Sequence, residues 1–243
     1  MTRSGSDPAS DVERILVVAA HPDDVDFGAS ATIAAWVAAG VKVAYCIATY
    51  GEAGGFDDTP RDRIPALREA EQRAAAESIG VTDVTFLGYP DGRVYVTHEL
   101  RRDITRQIRR VRPERVLAQS PERNWQRIAP SHPDHLAVGE ATLCAVYPDA
   151  RNPFAHPELL AEEGLDAWTV PEVWLMGGPR PDRYVDVTDT FDRKIAALRA
   201  HGSQTSHMAE LESFLQTWHA ANALAGGLPQ GRLAEAFQVV STR

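Results

Sequence analysis

Residues 14–20 read Arg-Ile-Leu-Val-Val-Ala-Ala, an apolar and largely β-branched run with no polar alternation. A strand with one wet face alternates, so an unbroken run of this length marks a central parallel strand covered by helices on both faces. Residues 28–39 then carry apolar side chains at helical spacing and stop at Gly40, as a helix C-terminal glycine does. Residues 41–49 form the next apolar run. Strand, helix and strand in this order make a βαβ unit, whose crossover is almost always right-handed.

The pattern repeats down the chain. A loop rich in Gly and Asp (residues 50–60) precedes a helix over 63–79, ended by Gly80, and a strand over 84–87. A helix over 99–111 leads to a strand over 115–119, and a Pro-containing loop follows. After an irregular, acidic stretch over 150–167 come strands at 172–176 and 184–187, with Thr188 or Asp189 placed to cap a helix running through 195–201. A helix over 208–223 and a strand over 235–240 end the pattern. The expected fold is α/β, a Rossmann-like, mostly parallel sheet flanked by helices. One domain spans 14–243 with a C-terminal extension, behind a disordered lead-in over 1–13.

Composition narrows the function. Hydrophobic residues at 44% and charged residues at 24% fit a soluble globular protein rather than a disordered or fibrous one. A formal charge of -9 with no long basic run excludes sequence-independent nucleic-acid binding, because nothing would neutralise a line of phosphates. The local exception, Arg101, Arg102, Arg106, Arg109 and Arg110, reads as a solvated helix face. No apolar stretch is long enough for a transmembrane helix, and the start lacks a secretory apolar run. Cys46 and Cys144 stand in apolar segments without metal-ligand spacing. They are expected to be buried free thiols in a reducing cytoplasm.

Two clusters carry the chemistry: Ala20-His21-Pro22-Asp23-Asp24 and Ser131-His132-Pro133-Asp134-His135. A lone His-Pro-Asp triplet is usually a turn, since Pro presets φ and Asp bonds nearby backbone. Both clusters, however, follow strands of an open α/β sheet, whose ligand site lies outside the carboxyl ends of its strands. A catalytic zinc site needs three protein ligands and one open position, and His21, Asp24 and His135 would supply them. Asp23 could then take a proton from metal-bound water. His132 could stabilise an oxyanion or protonate a leaving amine, with Asp134 orienting it through its other ring nitrogen.

These motifs, with Gly28 after the first, closely resemble the LmbE-like, or PIG-L, family of zinc-dependent N-deacetylases. The resemblance spans roughly residues 14–205 and takes in Gly51-Glu52-Ala53-Gly54, residues 68–71, 87–92 and 194–204. It implies removal of the acetyl group from an N-acetylglucosamine-containing conjugate, with His21, Asp24 and His135 on zinc, Asp23 as base, and His132 with Asp134 as acid or oxyanion stabiliser. It also implies that Glu52, Arg68 and Asp91 contact the sugar. Iron(II) suits the same donor set. The implied partner is a small amino-sugar conjugate, and homo-oligomers occur among family members. Two alternatives stand beside this reading: an amidase for a thiol conjugate or larger acyl amide, and a metal-bearing carbohydrate-binding protein without turnover. A nucleotide-binding Rossmann domain is disfavoured, because no GxGxxG follows the first strand.

Overall fold

The computed structural model describes residues 3–4, 12–56 and 58–243. In chain order the first half runs β1 (Arg3–Ser4), β2 (Arg14–Ala19), α1 (Asp24–Ala38), β3 (Lys42–Thr49), α2 (Ile64–Ser78), β4 (Asp83–Tyr89), α3 (His98–Val111) and β5 (Arg115–Gln119). The second half runs α4 (Pro133–Cys144), α5 (Pro157–Ala161), β6 (Glu172–Met176), β7 (Arg183–Asp186), α6 (Phe191–Ala200), α7 (Gly202–Thr205), α8 (Leu211–Ala225) and β8 (Ala234–Ser241). The strands form one sheet in the order β1-β7-β8-β6-β5-β2-β3-β4. All pairings are parallel except those of β8, which runs antiparallel to both β6 and β7. The fold is the α/β, Rossmann-like arrangement expected from the sequence.

The unbroken apolar run of β2 has a direct cause. Ile15, Val17 and Ala19 face one layer, where they pack with Ala29, Ile33 and Trp36 of α1. Leu16, Val18 and Ala20 face the other, with Leu100 and Ile104 of α3 and Val138 of α4. Both faces are dry, so alternation disappears. Chain order reverses at β2: β3 and β4 lie to one side, β5 and β6 to the other. A crevice opens at such a switch point, outside the strand ends. The first cluster leaves β2 there, and the second arrives there from β5.

Several local expectations are refined. Residues 133–144 form a full helix, α4, beginning with Pro133 at the position where its missing N–H costs nothing. The irregular stretch over 150–167 contains the short helix α5. Neither Thr188 nor Asp189 caps α6; both lie in a 3-10 turn, and Thr190 occupies the cap position with its hydroxyl bonded to the Ala31 carbonyl. The basic face of α3 is compensated. Arg101 pairs with Asp149, Arg102 with Asp103, Arg106 with Asp103 and Glu163, and Arg110 with Asp83. Arg109 is buried and donates to the carbonyls of Asp149, Ala150, Asn152 and Ala155.

Cys46 is buried and Cys144 half-buried, and both are free thiols. Among the described residues no helix is long and apolar enough to cross a membrane. Most of the lead-in expected over residues 1–13 lies outside the described residues. Within it, Arg3 and Ser4 pair with Arg183 and Tyr184.

The C-terminal part is tied to the first helix by a buried ion pair. Lys194 Nζ lies 2.6 Å from Glu235 Oε1 and donates to the Phe27 carbonyl at 2.8 Å. Glu235 in turn accepts from the N–H groups of Ala31 and Thr32 at 3.2 and 2.8 Å, so the pair is bonded into the backbone of α1. Removing one partner of a buried pair strands the other charge. Lys194→Met is therefore expected to lower unfolding free energy by about 3–5 kcal/mol, measured by urea titration. A loss within the surface-pair range of about 1 kcal/mol would contradict this anchoring role.

Candidate functional site

The site is built on a tight strand-to-helix turn. At the end of β2, Ala20 N–H donates to Gln119 Oε1 from the neighbouring β5 at 2.9 Å, and the Ala20 carbonyl accepts from Thr49 Oγ1 at 3.0 Å. His21, Pro22 and Asp23 then swing the chain into α1, and Asp23 has φ 80°, ψ -25°. That left-handed conformation costs a non-glycine residue about 1–2 kcal/mol. Its neighbours hold it there. Gln72 Oε1 accepts from Asp23 N–H at 2.9 Å, while Arg68 Nη2 donates to the Pro22 carbonyl at 2.8 Å and to Asp23 Oδ2 at 3.0 Å. The other end of Gln72 donates to Asp26 Oδ2 at 2.9 Å, and His201 Nε2 meets the same oxygen at 2.8 Å. Arg68 also donates to the Gly51 carbonyl at 2.8 Å. A Cβ on Gly51, which has φ +69°, would overlap that guanidinium, so the position needs glycine.

Facing this turn is the start of α4. His135 Nδ1 lies 3.1 Å from the Pro130 carbonyl, which turns Nε2 into the crevice. There Nε2 is 3.2 Å from His21 Nδ1 and 3.0 Å from Asp24 Oδ1, and His21 Nδ1 is 3.2 Å from Asp24 Oδ2. Ligand atoms on a tetrahedral zinc, about 2.0–2.2 Å from the ion, stand roughly 3.3–3.6 Å apart. The three contacts of 3.0–3.2 Å, which use both Asp24 oxygens, lie a few tenths inside that spacing, and two imidazole nitrogens with a carboxylate match the donor chemistry. The three residues fit a divalent metal.

The second nitrogen of His21 is engaged from behind. Its Nε2 is 3.0 Å from Asp91 Oδ1 and 3.2 Å from Asp134 Oδ2. The Asp134 carboxylate also accepts from Gly92 N–H at 2.7 Å and Val94 N–H at 3.2 Å. It is therefore turned to His21 and not to the His132 ring. His132 meets Asp134 through the backbone, its Nδ1 accepting from Asp134 N–H at 3.3 Å. The His132 ring is exposed, its centroid 4.9 Å from that of His21 and 5.3 Å from that of His135. Of the residues expected at a sugar, Arg68 is buried against Asp23, and Asp91 links His21 to Ala53 N–H at 2.9 Å. Glu52 Oε1 accepts from Asp91 N–H at 2.8 Å.

Electrostatics follow from this crowding. Burial opposes the charge on His21, but the Asp24 carboxylate and hydrogen bonds to Asp134, Asp24 and Asp91 push it up to about 12. Burial also opposes ionisation of Asp24, yet His135 and His21 hold its carboxyl well below the usual range. For Asp23, burial and then the Asp24 charge push the carboxyl up to about 6, against the pull of Arg68. Burial, with His21 and His135, lowers His132.

The sequence reading missed Gln72, Gln119 and Asp26. Their one legible signal is the four-residue spacing of Arg68 and Gln72, which puts both on the same face of α2 toward the turn. His201 is likewise buried, against Asp26. The sequence reading also did not foresee a cavity of about 680 Å³ that opens at Asp24 and His135 and reaches Phe214 and Trp218 on α8.

A family model described as PIG-L, GlcNAc-PI de-N-acetylase, matches residues 16–146. The diacetylchitobiose deacetylase of Thermococcus kodakarensis is 32% identical over 200 residues, covering 82% of this chain and 73% of its own. A probable N-acetyl-α-D-glucosaminyl L-malate deacetylase 2 of Bacillus cereus is 31% identical, covering 81% of this chain and 86% of its own. Among solved structures, the N,N′-diacetylchitobiose deacetylase of Pyrococcus horikoshii, complexed with an inhibitor, matches with a TM-score of 0.87 and 28% identity, over 96% of this chain and 86% of that one.

The hold on the left-handed turn is open to measurement. Gln72→Leu removes the acceptor of Asp23 N–H and a donor to Asp26 together. It is expected to cost about 1–3 kcal/mol in chemical unfolding. An unchanged midpoint would mean that Arg68 alone holds the turn.

Proposed function

The chain belongs to the PIG-L family, and from that premise we propose that it is a metal-dependent hydrolase removing an N-acyl group, acetyl in the simplest case, from an N-acetylglucosamine-type conjugate. The observation that carries this reading is the close cluster of His21, Asp24 and His135 donor atoms beside a half-buried Asp23 held at positive φ. We assign those three residues as ligands of a divalent metal; zinc is the first choice, and iron(II) suits the same two-His, one-carboxylate face. Such a metal, when bound, would make water more acidic and polarise the amide carbonyl.

Each remaining role follows from position. Asp23, anchored through Oδ2 by Arg68, accepts the proton of the attacking water. His132, exposed at the mouth and within 4.8 Å of the other ring nitrogens, donates to the developing oxyanion or to the leaving amine. Asp134 positions the ligand His21 through its second ring nitrogen rather than acting on His132. Arg68 and Asp91 serve chiefly as positioning groups. Glu52 keeps one carboxylate oxygen without a partner among the described residues, and we assign that oxygen to a substrate hydroxyl.

A carbohydrate-binding protein without turnover is disfavoured. Binding alone has no use for a carboxylate held at positive φ beside a metal-type triad, whereas strain of this kind collects at catalytic sites. Two free thiols suit the reducing cytoplasm, to which we assign the protein.

The test offers metal-loaded protein a panel that includes N,N′-diacetylchitobiose and N-acetylglucosaminyl malate, and measures acetate together with free amine. Release of both in equal amounts is expected, lost on chelation and restored by zinc. No release from any member by protein carrying one metal per chain would overturn the reading. Asp23→Asn should keep its metal and lose roughly 10²–10⁴-fold in turnover, whereas His135→Ala should lose metal on dialysis. Undiminished turnover in the first variant rejects Asp23 as base, and undiminished metal content in the second removes His135 from the ligand set.

A further inference from the structure

The cavity beside the triad is out of proportion to an acetyl group. Its volume of about 680 Å³ lies in the range of pockets that enclose whole drug-sized ligands. An acetyl group extends only one methyl beyond the amide carbonyl. The cavity meets the triad at Asp24 and His135, and neither His21, with Asp91 and Asp134 behind it, nor Asp23 lines it. Its apolar walls are Phe27 of α1, Met176 at the end of β6, Pro179 and Pro181 of the next loop, and Phe214 and Trp218 of α8.

Helix α8 has the form expected of a pocket wall. Leu211, Leu215 and Ala223 point into the protein and are buried. Phe214 and Trp218, four residues apart and with ring centroids 6.3 Å apart, make a second apolar stripe on the cavity side. Phe214 is 50% exposed, an aromatic ring with half its surface in water. The Arg127 guanidinium lies 4.7 Å above the Trp218 ring.

Of the polar side chains in the cavity, several have one end engaged within the protein, while Gln238 Oε1 is buried without a partner among the described residues. Gln119 Oε1 accepts from Ala20 N–H, Asn222 Nδ2 donates to the Ala234 carbonyl, and Asn124 Oδ1 accepts from Gln126 and Arg127 N–H. His219 Nδ1 is bonded to the Leu215 carbonyl, and Glu235 is paired with Lys194. The wall made by Phe27, Met176 and Phe214 offers sugar hydroxyls no strong donor or acceptor, and an apolar chain needs none.

We propose that this cavity is an acyl pocket, and that the preferred substrates are amino sugars carrying a medium-length alkanoyl or aryl group on nitrogen rather than acetyl. The inference rests on the hydrolase reading above for the reaction and on the cavity alone for the acyl group. Burying each added methylene of the substrate is worth about fourfold in affinity. Selectivity should therefore climb steeply with chain length until the pocket is full.

The experiment is a chain-length series. Glucosamine N-acylated with acetyl, butanoyl, hexanoyl and octanoyl groups is offered to the metal-loaded protein, and amine release is measured. We expect kcat/KM to rise by roughly 10²-fold from acetyl to hexanoyl. Trp218→Ala and, at the more exposed position, Phe214→Ala should flatten the series. In parallel, calorimetry on chelator-treated protein should find N-octanoylglucosamine binding at least tenfold tighter than N-acetylglucosamine. The binding should carry a negative heat-capacity change. Acetyl as best substrate, with rates falling at each added methylene, or equal binding of the two ligands, overturns the acyl pocket and leaves the hydrolase reading intact. No amine from any member, acetyl included, counts against the hydrolase reading, and the calorimetric comparison then still decides the pocket.

Discussion

Everything at this site depends on the crowding of carboxylates around two imidazoles in a nearly dry crevice. Asp24, Asp91 and Asp134 all lie within 3.2 Å of a ring nitrogen of His21, and Asp23 sits beside Asp24. Two like charges 4 Å apart repel by about 1 kcal/mol in water and about 4 kcal/mol near a protein surface. The surrounding chain answers that repulsion with donors: the N–H groups of His21, Ala53, Gly92 and Val94, and the guanidinium of Arg68. Three of those N–H groups belong to the loops after β3 and β4. These loops are folded inward by the need to solvate buried anions. A divalent cation at the triad, as proposed, would complete the compensation that the loops begin.

The second constraint is the left-handed Asp23. Extended backbone would send two adjacent carboxylates to opposite faces of the sheet, one of them away from the crevice at the strand end. The turn at positive φ separates them. Asp24 becomes the first residue of α1 and reaches back to His21 N–H at 2.7 Å, while Asp23 turns toward Arg68. The cost is borne by Arg68 and Gln72 from α2, and Gln72 is itself braced by Asp26 and His201. The side chains of His201, Asp26 and Gln72 link the end of α6 to the Asp23 N–H of the turn.

Much of this was legible in residue order. The non-alternating run 14–20 identified a strand buried on both faces, and the clusters after β2 and β5 identified a shared crevice at the switch point. Residue type and spacing also brought His21, Asp24 and His135 together. What could not be read was which way side chains turn within a cluster. Asp134 stands two residues from His132, and the sequence paired their side chains. Because α4 begins at Pro133, the carboxylate turns instead toward His21 and two backbone donors, and the backbone N–H faces the ring. Gln72 and Gln119 carry no charge and no motif; only its four-residue spacing from Arg68 set Gln72 apart from surface glutamines, and nothing did so for Gln119. The cavity was equally hidden, since its walls come from α1, β6 and α8, distant in sequence and joined only by packing.

That distribution separates chemistry from selectivity in a physical sense. The triad and its carboxylates sit on the turn after β2, the loop after β4 and the first turn of α4, beyond the ends of strands whose two faces are dry and closely packed. The apolar walls of the cavity come mainly from the end of β6, its following loop and α8, beside the antiparallel strand β8. Strand β6 joins the inner layer along its full ladder with β5, and Lys194 of α6 with Glu235 of β8 anchors the C-terminal part to the backbone of α1. Phe214, half exposed on α8, lies outside that ladder, so a change in its size acts on the cavity wall. A substitution at Glu235 acts at both levels, because that residue lines the cavity and also holds the helix that begins at Asp24.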